Sequence, residues 1–89
     1  FFVECMTEAG ISEGLSRGDA SELALQTFIG TAGLLETGMS PQKLREMVTS
    51  PGGTTAAGLK VLGEKGLNDL IREAISAAVK RAEELGRRD

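Results

Sequence analysis

Between Leu23 and Leu35 the chain reads Leu-Ala-Leu-Gln-Thr-Phe-Ile-Gly-Thr-Ala-Gly-Leu-Leu, without a single charged side chain. At about 100° of rotation per residue, a helix built from this run carries apolar or small residues all the way round. A helix without a solvent face is buried on more than one side. A chain of 89 residues buries only roughly 60–65% of its unfolded surface when it folds alone, so the missing cover is expected from a second copy. Gly30 and Gly33 within the run each cost about 1 kcal/mol relative to Ala in a helix interior, and close approach of another helix is the expected compensation. The aromatic supply points the same way: there is no Trp or Tyr, the aromatics are Phe1, Phe2 and Phe28, and twelve Gly dilute the packing further.

The rest of the chain reads as helix around this segment. Phe1 to about Leu15 places Phe2, Met6 and Ala9 on one stripe with Val3, Cys5 and Ile11 beside it, a wide apolar face. Gly14-Leu15 closes that helix. Ser16 is placed as N-cap of the second, with Asp19 and Glu22 at its positive start and Gly38 as its stop signal after Thr37. Ser40-Pro41 is a cap followed by Pro at the first helical position. It leads a short helix to about Thr49 with Leu44, Met47 and Val48 inward. Ser50-Pro51-Gly52-Gly53 breaks the chain. A fourth helix runs from Gly53 or Thr54 to Gly66. A fifth, from Leu67 or Asn68 to Leu85, carries Leu67, Leu70, Ile71, Ala74, Ile75, Ala78, Ala82 and Leu85 on one stripe. No strand pattern appears, so the expected class is all-α, five or so helices in an interlocked dimerisation domain spanning residues 1–89.

Charge and residue types remove several functions. Ten Lys plus Arg against thirteen Asp plus Glu give a net charge of -3, where nucleic-acid or anionic-membrane surfaces need a concentrated basic face. The tail from Lys80 to Asp89 holds Lys80, Arg81, Arg87 and Arg88. Lys80 and Arg81 lie within reach of Glu84, and a solvated helix end complementing the dipole is the better account. With no His and one Cys, a zinc site and imidazole-based triads are excluded, and no metal ligand set is proposed. Cys5 is expected in the core, and its solitude fits a reducing, cytoplasmic compartment. The start Phe1-Phe2-Val3 has no Met, no basic leader and no long apolar run. We expect neither signal peptide nor membrane span, but a piece of a longer protein.

One stretch carries chemistry: Val48-Thr49-Ser50-Pro51-Gly52-Gly53-Thr54-Thr55-Ala56-Ala57-Gly58-Leu59. Two Gly allow unusual backbone conformations, and a helix begins directly after them with its first amides unpaired. Such a turn can hold an anion, with the Ser50, Thr54 and Thr55 hydroxyls adding donors. Amides and hydroxyls alone would grip a carboxylate without a Lys or Arg that could react with an electrophilic substrate. The same residues also make a tight interhelical turn with Thr54 capping the next helix, and pattern alone leaves both readings open.

The run from Thr49 to Leu59 closely resembles the signature segment of pyrroline-5-carboxylate reductase, the last enzyme of proline biosynthesis. The likeness extends to Glu8-Ala9-Gly10, Gly14-Leu15, Gln26-Thr27, Gly30-Thr31-Ala32 and Gly66-Leu67. Enzymes of that family join an amino-terminal Rossmann domain for NADPH or NADH to a helical carboxy-terminal domain that forms the dimer and receives the imine substrate. The resemblance implies that this chain is the second part. It implies a homodimer, with assembly of dimers left open, and a carboxylate site at Ser50 and the backbone N–H groups of Gly53, Thr54 and Thr55, with Val48 lining the pocket. The family's Thr beside the imine nitrogen matches Thr55, whose hydroxyl would hydrogen-bond that nitrogen and relay the proton it gains. A hydroxyl positions well but is a poor acid, so the proton would come ultimately from water or from a substrate already protonated as the iminium.

The departure from the family pattern is plain. No Gly-x-Gly-x-x-Gly fingerprint is present and no strand to carry one, so no cofactor-binding residue is assigned and the chain is expected to bind no cofactor and to be inactive alone. The competing reading is a non-catalytic helical assembly module. A phosphate-binding module is disfavoured, because no Lys or Arg stands in the loop.

Overall fold

Helix α1, Phe2–Ser12, ends on a backbone lock that Gly14 makes possible. The N–H of Leu15 donates to Gly10 C=O at 3.1 Å and that of Gly14 to Ile11 C=O at 3.0 Å. This paired closure satisfies the last carbonyls of the helix. It needs a left-handed residue after the cap, and Gly14 has φ +104, a conformation that a Cβ would strain. The apolar stripe alone suggested a helix reaching Leu15, and the lock stops it at Ser12.

The computed structural model describes residues 1–87, and among them there are five helices and no strand. After α1 come α2, Arg17–Glu36; α3, Pro41–Val48; α4, Thr54–Glu64; and α5, Leu67–Gly86. The all-α expectation is met. Arg88 and Asp89 of the basic tail lie outside the described residues. Within that tail, Arg81 pairs with Glu84 at 3.1 Å and Arg87 with Glu83 at 3.8 Å, all exposed. No helix among the described residues is long and apolar enough to cross a membrane.

The chain divides into two units, Phe1–Glu46 and the residues from Met47 onward. In the first, α1 packs on α2. The capping signals work as read: Asp19 N–H donates to Ser16 Oγ at 3.1 Å at the start of α2, and Lys43 N–H donates to Ser40 Oγ at 3.1 Å ahead of Pro41. Each such cap is worth about 1 kcal/mol. The seam between α1 and α2 is built from small residues. Ala20 and Ala24 are 2% and 3% exposed, and Thr7 is buried with its hydroxyl donating to Val3 C=O at 2.8 Å. That bond to the carbonyl one turn back satisfies the buried hydroxyl. Gly10 completes the seam: a Cβ there would lie 3.1 Å from Ala20 Cβ.

This seam corrects the placing of Cys5 in the core, since its thiol is exposed. Val3 and Thr7 define the buried side of α1, and Cys5 stands about 200° from each around the helix. Phe2 and Met6 flank the seam and remain 60% and 41% exposed. The uncharged run of α2 is likewise open on its other sides: Leu23, Leu25, Phe28, Ile29 and Leu34 are all exposed. At Gly30 and Gly33 a Cβ would meet nothing within 4 Å, so no close helix approach among the described residues of the first unit explains them.

In the second unit α4 packs on α5. The stripe on α5 forms as a helix face, yet Leu70, Ile75, Val79 and Leu85 on or beside it are exposed, as are Val61 and Leu62 of α4. The expectation that Leu44, Met47 and Val48 point inward is corrected too. Leu44 is half-buried, but Met47 and Val48 are exposed. Spacing puts all three on one face of α3, and only the first is half-covered.

Candidate functional site

The turn ahead of α4 is set by Pro51 and Gly52. Gly53 N–H donates to Ser50 C=O at 3.0 Å, closing a four-residue turn with Pro at its second position. Gly52 at the third has φ +74. That combination is the signature of a type II turn, which Gly enters without strain. Gly53, the N-cap of α4, has φ -83 and ψ 179, backbone that any residue adopts. Only one of the two Gly therefore needs its conformational freedom, where the sequence suggested that both do.

Gly53 is glycine for a different reason. A Cβ on it would lie 3.0 Å from Ser50 Oγ and 3.2 Å from Ser50 O, closer than side-chain carbons normally come to other atoms. The turn folds Ser50 directly against the first residue of the helix entry. Thr54 is the first residue of α4 rather than its cap, and the cap residue makes no side-chain hydrogen bond. The reading of Thr54 as cap is thus corrected: the turn is closed by backbone, and the hydroxyls of Ser50 and Thr54 are not used to cap α4.

The first intrahelical bond runs from Ala57 N–H to Gly53 C=O at 3.1 Å. The amides of Thr54, Thr55 and Ala56 precede it, so they point out of the helix start without an intrahelical acceptor. Gly53 N–H, expected among the carboxylate donors, is engaged by Ser50. Ala56 joins the open amides in its place. A firmer reading of where α4 starts would have found it, because the first three residues of any helix carry these donors. Ser50 and Thr54 are exposed, and Gly53, Thr55 and Ala56 are half-buried. Val48 ends α3 two residues before Ser50 and is 55% exposed.

The site is electrically quiet. From Met47 to Leu59 the sequence holds no charged residue, and the positive pole of α4 is the main local field. Converging amides with a serine and two threonine hydroxyls nearby can accept a carboxylate and still offer one hydroxyl to a neighbouring nitrogen. A dinucleotide is a poor fit to these residues. The glycines follow a helix and not a strand, and no glycine fingerprint accompanies them. A shallow groove between α1 and α2, lined by Val3, Glu4, Thr7, Glu8, Arg17 and Ser21, contains none of the turn residues. Its Glu8 and Arg17 are paired at 3.0 Å.

Comparison with known proteins gives one family. The family model described as pyrroline-5-carboxylate reductase dimerisation matches residues 1–85. A pyrroline-5-carboxylate reductase of Synechocystis is 46% identical over 97% of the chain, and one of Escherichia coli is 39% identical over 97%. The alignments cover 33% and 32% of those proteins, so the chain spans about a third of the length of the curated relatives it matches. Among solved structures, Plasmodium falciparum pyrroline carboxylate reductase with NADP bound superposes with a TM-score of 0.85 at 34% identity. That match covers 90% of this chain and 33% of the other.

Proposed function

The chain belongs to the pyrroline-5-carboxylate reductase dimerisation family, and on that footing we propose that it is the dimerising and substrate-receiving part of a reductase that converts 1-pyrroline-5-carboxylate to L-proline. NADPH or NADH would supply the hydride. The nicotinamide would be held by the remainder of the enzyme, an amino-terminal Rossmann domain to which residues 1–89 form the carboxy-terminal helical partner.

The observation that carries the substrate assignment is the turn itself: Ser50 folded against Gly53, followed by the open amides of Thr54, Thr55 and Ala56 at the positive end of α4. In this reading the substrate carboxylate lies on those amides and on the Ser50 hydroxyl, with Val48 against the ring. Thr55 donates a hydrogen bond from its hydroxyl to the imine nitrogen and holds it in place as the C=N bond is reduced; the proton that nitrogen gains is relayed through this hydroxyl from water, which restores the hydroxyl's own proton. The half-buried position of Thr55 suits a hydroxyl that must keep one orientation.

Homodimerisation is supported by exposed apolar residues on both units: Phe28 and Ile29 on α2, Val61 and Leu62 on α4, and Leu70 and Ile75 on α5. Interfaces of obligate dimers resemble a domain core cut in two. Association of such dimers into larger assemblies is compatible with this surface. The free thiol of Cys5 fits a cytoplasmic enzyme.

An NMR titration of the full-length reductase with L-proline tests the site. The amides of Thr54, Thr55 and Ala56 are expected to shift saturably, and inorganic phosphate at the same concentration is expected to leave them in place. Unmoved amides with proline bound would remove the turn from the site.

A further inference from the structure

We infer that Gly53 is a positioning residue for Ser50: by lacking a Cβ it lets the serine hydroxyl rest against the entry of α4, where it adds a side-chain donor to the open amides. This rests on the reading of the turn as the carboxylate site. Two observations on the same residue carry it. Its backbone, at φ -83 and ψ 179, is open to any L-residue, so conformation does not require glycine. Its neighbours disfavour a side chain: a Cβ would stand 3.0 Å from Ser50 Oγ and 3.2 Å from Ser50 O, tighter than ordinary contact. Gly52 carries the turn's left-handed conformation, at φ +74, so the two glycines divide the work. One bends the chain and the other leaves room for the hydroxyl.

The engagement of Gly53 N–H with Ser50 C=O at 3.0 Å fixes the geometry further. That bond holds the serine backbone while the missing Cβ leaves its side chain space beside the helix entry. A methyl at Gly53 makes Ser50 Oγ and the Ser50 carbonyl give way by a few tenths of an ångström. That shift displaces the hydroxyl that in this reading lies beside the amides of Thr54 and Thr55. Gly53 then acts through Ser50 and touches no reacting atom.

The test is a double-mutant cycle in the full-length reductase with Ser50→Ala, Gly53→Ala and the pair. The substrate KM, kcat and nicotinamide KM are read together with Tm. Ser50→Ala is expected to raise the substrate KM about tenfold, the order of one lost hydrogen bond to a charged group. Gly53→Ala is expected to raise it severalfold with kcat and the nicotinamide KM within a factor of about two. In the Ser50→Ala background the Gly53→Ala change is expected to add less than about twofold, because the hydroxyl it displaces is gone. If Ser50→Ala raises the KM but Gly53→Ala does not, or if the two effects multiply, the positioning role is overturned and the site reading stands. If Ser50→Ala leaves the KM unchanged, both fall. Should Gly53→Ala lower Tm, the cycle is read well below the variant's Tm, with the same criterion of no further effect on Ser50→Ala.

Discussion

Exchanging a single methyl group across the α1–α2 seam measures how tightly these helices are joined. Gly10→Ala adds a Cβ 3.1 Å from Ala20 Cβ and 3.4 Å from Leu15 Cδ1, where carbon atoms prefer about 3.5–4.0 Å. Ala20 is 2% exposed and has little room to yield, so the helices must part by several tenths of an ångström. Such overpacking costs about 1–3 kcal/mol, set against a gain of about 1 kcal/mol from replacing glycine within a helix. The net expectation is destabilisation by about 0–2 kcal/mol. Gly18→Ala is the control: its Cβ meets nothing within 4 Å, and it should stabilise by about 0.4–1 kcal/mol. The decisive variant is Gly10→Ala with Ala20→Gly, which moves the methyl from one helix to the other and relieves the clash. Coupling between the two changes should be favourable by about 1–2 kcal/mol. Urea unfolding at a fixed protomer concentration reads these values from midpoints at constant m. A Gly10→Ala variant as stabilised as Gly18→Ala, with effects that simply add in the double variant, would refute the argument that Gly10 is needed for close approach.

Two other outcomes test the assembly and the chemistry. Ile29→Glu places a carboxylate on a side of α2 that is 54% exposed in the chain. It should leave the α1–α2 pair folded and weaken dimerisation by about 10³-fold, from the loss of about 2 kcal/mol of apolar burial in each copy. Sedimentation across micromolar concentrations checks it, and an unchanged dimer would place Ile29 outside the interface. Thr55→Ala in the full-length reductase should lower kcat by about 10²-fold, with a smaller rise in KM. Unaltered turnover would take Thr55 out of the catalytic step.

The helices were legible because their signals are local. Ser16 and Ser40 cap as read, and the glycine stop at Gly38 and the breaker at Ser50 to Gly53 fall where the chain turns. The turn residues of the candidate site stood out for the same reason, as an uncharged Gly-rich entry to a helix. The division of labour between Gly52 and Gly53 was not legible. Both are the same letter, and only the φ of one and the neighbours of the other tell them apart. The open amide of Ala56 and the engaged amide of Gly53 likewise follow from the exact start of α4, which residue pattern fixes only to within a position.

An uncharged stretch such as Leu23 to Leu35 reads as helix and sets a demand for cover, because the cost of wetting apolar surface acts wherever the helix finally sits. That much the amino-acid sequence determines alone. Which side of each helix is covered, and by what, belongs to tertiary structure. Cys5 lies among apolar residues yet faces outward, because the seam of α1 runs through Val3, Thr7 and Gly10. Met47 and Val48 share a face with Leu44 and stay exposed. Burial is a property of pairs of surfaces, and a sequence lists only one member of each pair. In α2 the chain's own fold covers Ala20 and Ala24 and leaves Leu23, Leu25, Phe28, Ile29 and Leu34 of the uncharged run exposed.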